Sequence, residues 1–237
     1  MKPYYEEAGI TIYHGDCLSL LSNMEAVDHV ITDPPYSERT HRGHDASANG
    51  HVGAGKDNAN RSGLGYGFLS ETDVVEYVER ISKLCNGWIV TFNDHTNIPI
   101  LQREFLEAGR YVFAPIPFYS PGRSVRLSGD GPCSWTDWIL CTRTSALVRW
   151  GTLPGGYVFT SDREYMGGKP IDLMLALVRD YSRVGECVLD PFMGSGTTLL
   201  ACKKMGRRSI GIDNNEESCE IAVNRLRQSV LNFEVGA

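Results

Sequence analysis

Residues 187–198 read Cys-Val-Leu-Asp-Pro-Phe-Met-Gly-Ser-Gly-Thr-Thr. Val188-Leu189 is strand-like, and Asp190-Pro191 ends the strand because proline fixes φ and cannot donate to a ladder. Gly194 and Gly196 then let the backbone turn sharply and bring its N–H groups close to a ligand, ahead of a helix starting near Thr197. No Gly-Lys-Ser/Thr follows, which excludes a phosphate-binding P-loop. Leu199 stands where the dinucleotide fingerprint needs its third glycine. About twenty residues beyond the glycines, the strand Arg208 to Ile212 runs into Asp213, where an acid can accept hydrogen bonds from two ribose hydroxyls. Asp213 can equally be a helix N-cap. Glycine loop and acid together imply a nucleoside-containing ligand.

Working outward, Lys169-Pro170 lies upstream, with Pro170 expected in the first turn of a helix whose Leu173, Leu177 and Val178 face inward. Towards the N-terminus, Val30-Ile31-Thr32 ends in Asp33-Pro34-Pro35-Tyr36. Such a segment is a common turn, but the carboxyl end of a strand is also where open α/β sheets bind ligands. Strands are expected over Ile10 to Tyr13, His29 to Thr32, Gly87 to Phe92, Tyr111 to Ile116, Trp138 to Thr142, Cys187 to Leu189 and Arg208 to Ile212. Helices are expected from a Ser70/Asp73 capping box through Leu84, from about Asn97 to Gly109, after Pro170, and from near Asn215 to Val230. The alternation predicts an α/β fold with a mostly parallel seven-stranded sheet and helices on both faces, in one domain spanning 1–237. Two stretches interrupt it: 37–67, rich in Gly, Asn, Ser and His, and 120–165, which mixes short strands with Gly and Pro turns.

Composition narrows the class. The longest apolar runs, such as Trp88 to Phe92, fall far short of the ~18 residues a membrane span requires, and the N-terminus is polar and acidic. A cytoplasmic protein is expected, with no membrane contact. Seven scattered cysteines without a Cys-x-x-Cys pair are expected to be reduced core residues, and no metal site is predicted. The formal charge of −6 means that any nucleic-acid partner must be met by local basic patches.

With Asp33-Pro34-Pro35-Tyr36 before Asp190-Pro191-Phe192-Met193-Gly194-Ser195-Gly196-Thr197, and Lys169-Pro170 just upstream of the latter, the chain resembles the β-class DNA amino-methyltransferases. These enzymes methylate adenine N6 or cytosine N4. Their catalytic motif precedes the cofactor motif, a circular permutation of the Rossmann-like class I methyltransferase order, and this chain has that arrangement. The resemblance implies S-adenosylmethionine as cofactor, DNA as substrate and a homodimer.

It further implies roles by position. Asp33 and the Pro34 carbonyl would accept the target amine's N–H bonds, Pro35 would offer no competing donor, and Tyr36 would stack on a flipped base. Asp16, following Gly15, and Lys169, Asp190, Pro191, Phe192, Gly194, Ser195, Gly196, Thr197 and Asp213 would bind the cofactor, Phe192 facing its sulfonium. Asp rather than Ser at position 33 favours adenine; cytosine N4 methylation, or a catalytically idle DNA-binding relative, is the alternative. Arg39, Arg42, Lys56 and Arg61 in 37–67, a mobile loop over the active site, and Arg123 and Arg126 in 120–165, a small inserted target-recognition region, are the expected DNA contacts. Asn93-Asp94-His95 either touches the base or caps a helix.

Overall fold

The computed structural model describes residues 1–36, 71–122, 133–146, 150–160 and 168–231. In chain order the elements are β1 (Tyr5–Glu7), β2 (Ile10–His14), α1 (Cys17–Leu21), β3 (His29–Thr32), α2 (Glu71–Leu84), β4 (Trp88–Asn93), α3 (Ile98–Glu107), β5 (Tyr111–Val112), β6 (Ile116–Tyr119), β7 (Thr136–Arg143), β8 (Tyr157–Val158), α4 (Ile171–Tyr181), β9 (Cys187–Asp190), α5 (Thr197–Lys204), β10 (Arg208–Asp213) and α6 (Glu216–Leu231).

One sheet runs β1-β2-β10-β9-β3-β4-β7-β6-β8, with β5 also on β7. Its centre, β2 to β4 in that order, is parallel, while β7 is antiparallel to β4, β5 and β6, and β1 is antiparallel to β2. Every residue of β3, β4 and β9 is buried, as expected for parallel strands covered on both faces. Side chains alternate between two layers: Val30, Ile89, Leu140 and Leu189 pack under α1, α2 and α3, whereas Ile31, Val90, Ile139 and Val188 pack under α4 and α5. Ile10 and Ile12 of β2 join α5 and α6 in a third cluster. The class is therefore the expected α/β fold, with a mixed sheet.

Beside β9 lies β3, and the connections leave them in opposite directions: β9 continues through α5 to β10, and β3 through a connection containing α2 to β4. That is a topological switch point, where open sheets form a ligand crevice at the strands' carboxyl ends.

The strand count differs from expectation, with ten among the described residues. Ala8 and Gly9 both have positive φ (51° and 78°) and close a two-residue hairpin that adds β1. Tyr111 to Ile116 is two strands, because Pro115 lacks the N–H that a continuous ladder would need. Pro170 is the N-cap of α4 rather than a first-turn residue.

At the amino ends of the strands, His29 is buried beneath Trp150. Its Nδ1 accepts the Trp88 N–H (3.0 Å), so Nε2 carries the proton towards Glu186 (2.8 Å), and burial lowers its pKa despite that carboxylate. A depressed histidine supports the fold fully above its unfolded value of about 6.5 and loses that support as the pH falls below it. Thermal melts should show the advantage of wild type over His29→Gln as largest near neutrality and shrinking on acidification. A constant gap would remove this assignment.

Candidate active site at the switch point

Asp190, the last residue of β9, joins three elements. Its Oδ1 accepts Thr32 Oγ1–H of β3 (2.7 Å) and the Phe192 N–H (3.2 Å), and its Oδ2 accepts Thr198 Oγ1–H of α5 (2.5 Å). Burial raises its pKa to about 6, with the three donors opposing the shift. Expected at the cofactor, Asp190 is thus the tie that sets the glycine loop against the end of β3.

The loop is fastened on its other side by Asp213. Oδ2 accepts the Gly194 N–H and Oδ1 the Asn215 N–H, both at 2.9 Å, and burial raises its pKa against these bonds. Asp213 does not cap α6; Asn215 does, through Ser218 N–H (3.2 Å). Gly15 N–H donates to the Asp213 carbonyl (2.9 Å), so the end of β2 lies beside the end of β10. Asp16 caps α1, its Oδ1 accepting Ser19 N–H and Ser19 Oγ–H.

The two glycines serve different ends. At Gly194 (φ +50°) an added Cβ would meet nothing within 4 Å, so this backbone borders open space; at Gly196 (φ +76°) it would lie 2.8 Å from Ala222 Cβ on α6. The open side fits a ligand brought against backbone amides, and the closed side fits close helix packing. Gly196→Ala should cost at least about 2 kcal/mol from the left-handed backbone and the contact with α6. That corresponds to a melting point lower by roughly 4–8 °C, and an unchanged melt would contradict the assignment.

Ser195 and Thr197, expected at the cofactor, face α6. Arg225 Nη1 donates to the Ser195 carbonyl (2.7 Å), Ser195 Oγ (3.1 Å) and Thr197 Oγ1 (3.1 Å). The Phe192 ring packs edge-on to Tyr77 of α2, 5.3 Å between centroids, and Pro191 is buried after β9.

Across the switch point, Asp33 to Tyr36 leave β3 without regular structure. Lys169, also expected at the cofactor, has its ammonium on this segment: 2.5 Å from Asp33 Oδ2, 2.9 Å from the Tyr36 hydroxyl oxygen, and 3.7 Å from Asp137 Oδ2 of β7. Its Nζ also lies 5.1 Å from the Tyr36 ring centroid and 4.8 Å from that of Phe92. Asp33 Oδ1 is buried and has no hydrogen-bond partner among the described residues. Burial raises the Asp33 pKa, Lys169 opposes this, and Asp137 adds to it.

Asn93 is the last residue of β4, and Asp94 and His95 follow it towards α3. Asn93 Oδ1 accepts Asp94 N–H, and Asp94 Oδ1 accepts the N–H groups of Thr96 and Asn97. Arg39, Arg42, Lys56, Arg61, Arg123 and Arg126 lie outside the described residues. Among the described residues no cluster of His, Cys, Asp and Glu could hold a metal, and no helix is long and apolar enough to cross a membrane.

Arg225 and Asp137 were not singled out from sequence, although each carries a signal. Arg225 is a charge on the apolar stripe of Ala222, Val223 and Leu226, and Asp137 precedes the apolar run Trp138 to Cys141. An ionic residue at such a position needs a buried partner.

Residues 138–224 match a family model of N6 and N4 methyltransferases described as DNA methylase. Over 70 residues the chain is 44% identical to the type II methyltransferase M.HindIII of Haemophilus influenzae, covering 29% of this chain and 23% of that enzyme. With the type II methyltransferase M2.LlaDCHI of Lactococcus lactis subsp. cremoris it shares 26% identity over 259 residues, covering 96% and 93%. The crystal structure of the M1.HpyAVI–SAM complex superposes with a TM-score of 0.69 at 24% identity, covering 92% of this chain and 99% of that one. The chain is thus similar to the DNA methylases, over residues 138–224 by family model and over nearly its whole length by fold.

Proposed function

We propose that this protein is an S-adenosylmethionine-dependent DNA methyltransferase acting on the N6 amine of adenine. The observation that carries the reading is Asp33 Oδ1, a buried acceptor without a donor among the described residues, just past the end of β3, the strand beside the one that leads into the open glycine loop. An unmatched buried carboxylate oxygen is costly, and such groups persist where function uses them.

The adenine amine is a weak nucleophile because its lone pair is delocalised into the ring. Asp33 Oδ1 and the Pro34 carbonyl would accept its two N–H bonds and draw the nitrogen towards tetrahedral geometry. Bringing the base there requires flipping it from the stack, at a cost of a few kcal/mol. Stacking on Tyr36 would offset about 1–3 kcal/mol of that, and the Lys169 contact to the phenol oxygen fixes the ring beforehand. Gly194, Asp213, Asp16 and Phe192 are the residues we assign to the cofactor, and S-adenosylmethionine, when bound, supplies the electrophilic methyl group. Methylation makes the amine strongly acidic, so its proton can pass to Asp33 or water. Arg39, Arg42, Lys56, Arg61, Arg123 and Arg126 are proposed as DNA contacts. Asp at position 33, rather than Ser, supports adenine over cytosine.

The test is incubation with methyl-labelled S-adenosylmethionine and mixed-sequence duplex DNA, then digestion to nucleosides. Label in N6-methyladenine is expected. Label in N4-methylcytosine would reassign the base, and unlabelled DNA would overturn the proposal.

A further inference from the structure

Lys169 is held by the target side of the crevice. Its ammonium contacts Asp33 beyond β3, Tyr36 three residues on and Asp137 of β7, and none of its partners among the described residues belongs to 190–198 or is Asp213. The Lys169 side chain is 11% exposed and that of Asp137 10%, so solvent screens these charges weakly. One Asp33 oxygen is thereby occupied, while the other has no hydrogen-bond partner among the described residues.

We propose that Lys169 is a positioning residue for methyl transfer: by binding Asp33 Oδ2 and the Tyr36 hydroxyl together, it aims Asp33 Oδ1 at the target amine and sets the spacing between that acceptor and the stacking ring. This rests on the reading of Asp33 as the amine's acceptor. A protonated Asp33 would present a donor to an amine that must donate, so its negative charge is part of the geometry. The charged and titratable groups facing it are Lys169 ahead of α4, Asp137 on β7, Asp190 on β9 and Tyr36 on its own segment. Lys169 contributes most to favouring the charged carboxylate, the Tyr36 hydroxyl adds to it, and the two acids oppose it.

Two measurements on the full chain test the proposal. In the ligand-free protein labelled with 13C-aspartate, the Asp33 carboxyl, assigned by its loss in Asp33→Asn, should titrate at least about one pH unit higher in Lys169→Met, close to wild type in Lys169→Arg, and lower in Asp137→Asn. In single-turnover transfer at saturating S-adenosylmethionine, Lys169→Met should be about 10–100-fold slower near neutral pH, with the deficit narrowing as the pH rises. Its affinity for S-adenosylmethionine should stay within about threefold of wild type if Lys169 serves the target side. Matching melts of Lys169→Met and Lys169→Arg exclude misfolding as the cause. An Asp33 titration indifferent to Lys169, or a variant that loses cofactor affinity yet transfers normally at saturation, overturns the proposal. If wild type transfers no methyl group, the functional reading falls with it. An active wild type alongside an indifferent Lys169→Met removes the positioning role alone.

Discussion

Asp33→Ala is expected to lose methyl transfer by about 10²–10⁴-fold, the range for removing a group that acts on a proton in the transition state. Cofactor affinity should barely change, because the loop that borders open space is fastened to Asp213 and Asp190, not to Asp33. The substitution removes the open acceptor and leaves Lys169 facing Asp137 and Tyr36. Asp33→Asn is the subtler probe: it retains one oxygen but brings an NH2 group that can take the place of either acceptor. Isothermal titration with S-adenosylmethionine, paired with single-turnover transfer, separates binding from chemistry. Transfer close to wild type in both variants would mean that Asp33 is a turn residue and nothing more.

The second large effect concerns stability. Asp190→Ala should destabilise the protein by about 3–5 kcal/mol, since Thr32 Oγ1–H, Thr198 Oγ1–H and the Phe192 N–H all lose their acceptor inside the core. The melting point should fall by roughly 10 °C, as expected for a chain of this size. Asp190→Asn, which keeps an acceptor oxygen, should fall less. The pH dependence gives an independent check. Because the folded protein binds the Asp190 proton more readily than the unfolded chain, the contribution of Asp190 to stability rises as the pH drops through about 6 towards the ordinary 3.8. Relative to Asp190→Asn, wild type should therefore strengthen on mild acidification. A small, pH-independent loss in both variants would show that Asp190 does not join the three elements.

Much of this arrangement could be read from the sequence because its signals are local. Val30-Ile31-Thr32 and Val188-Leu189 are short apolar runs ended by Asp-Pro, and the glycines after the second demand a turn into a helix. Strands that end this way leave Asp33 and Gly194 at the same edge of the sheet, and β3 and β9 are indeed neighbours. What could not be read depended on partners distant in sequence. Ala8-Gly9 lacks the Asn-Gly signature of a tight hairpin, so nothing local marks β1, and Pro115 sits inside an otherwise strand-like run. Ser195 and Thr197 look like ligand-binding residues beside their glycines, yet Arg225, about thirty positions later and one face of α6 away, takes their oxygens. Lys169 follows the same rule. Its neighbours in sequence point to the cofactor motif, while its contacts are made 136 and 133 residues away, at Asp33 and Tyr36.

Methyl transfer by this protein requires donor and target amine to meet between the ends of β3 and β9. A crystal structure with sinefungin, a non-reactive analogue of S-adenosylmethionine, measures this most directly. The analogue should lie against Gly194 and Asp213, with its amine, which takes the place of the transferable methyl group, directed at Asp33 and separated from it by about the width of one amine in near-attack contact, roughly 3–3.5 Å on either side. An analogue seated elsewhere, or one whose amine points away from Asp33, would contradict the account.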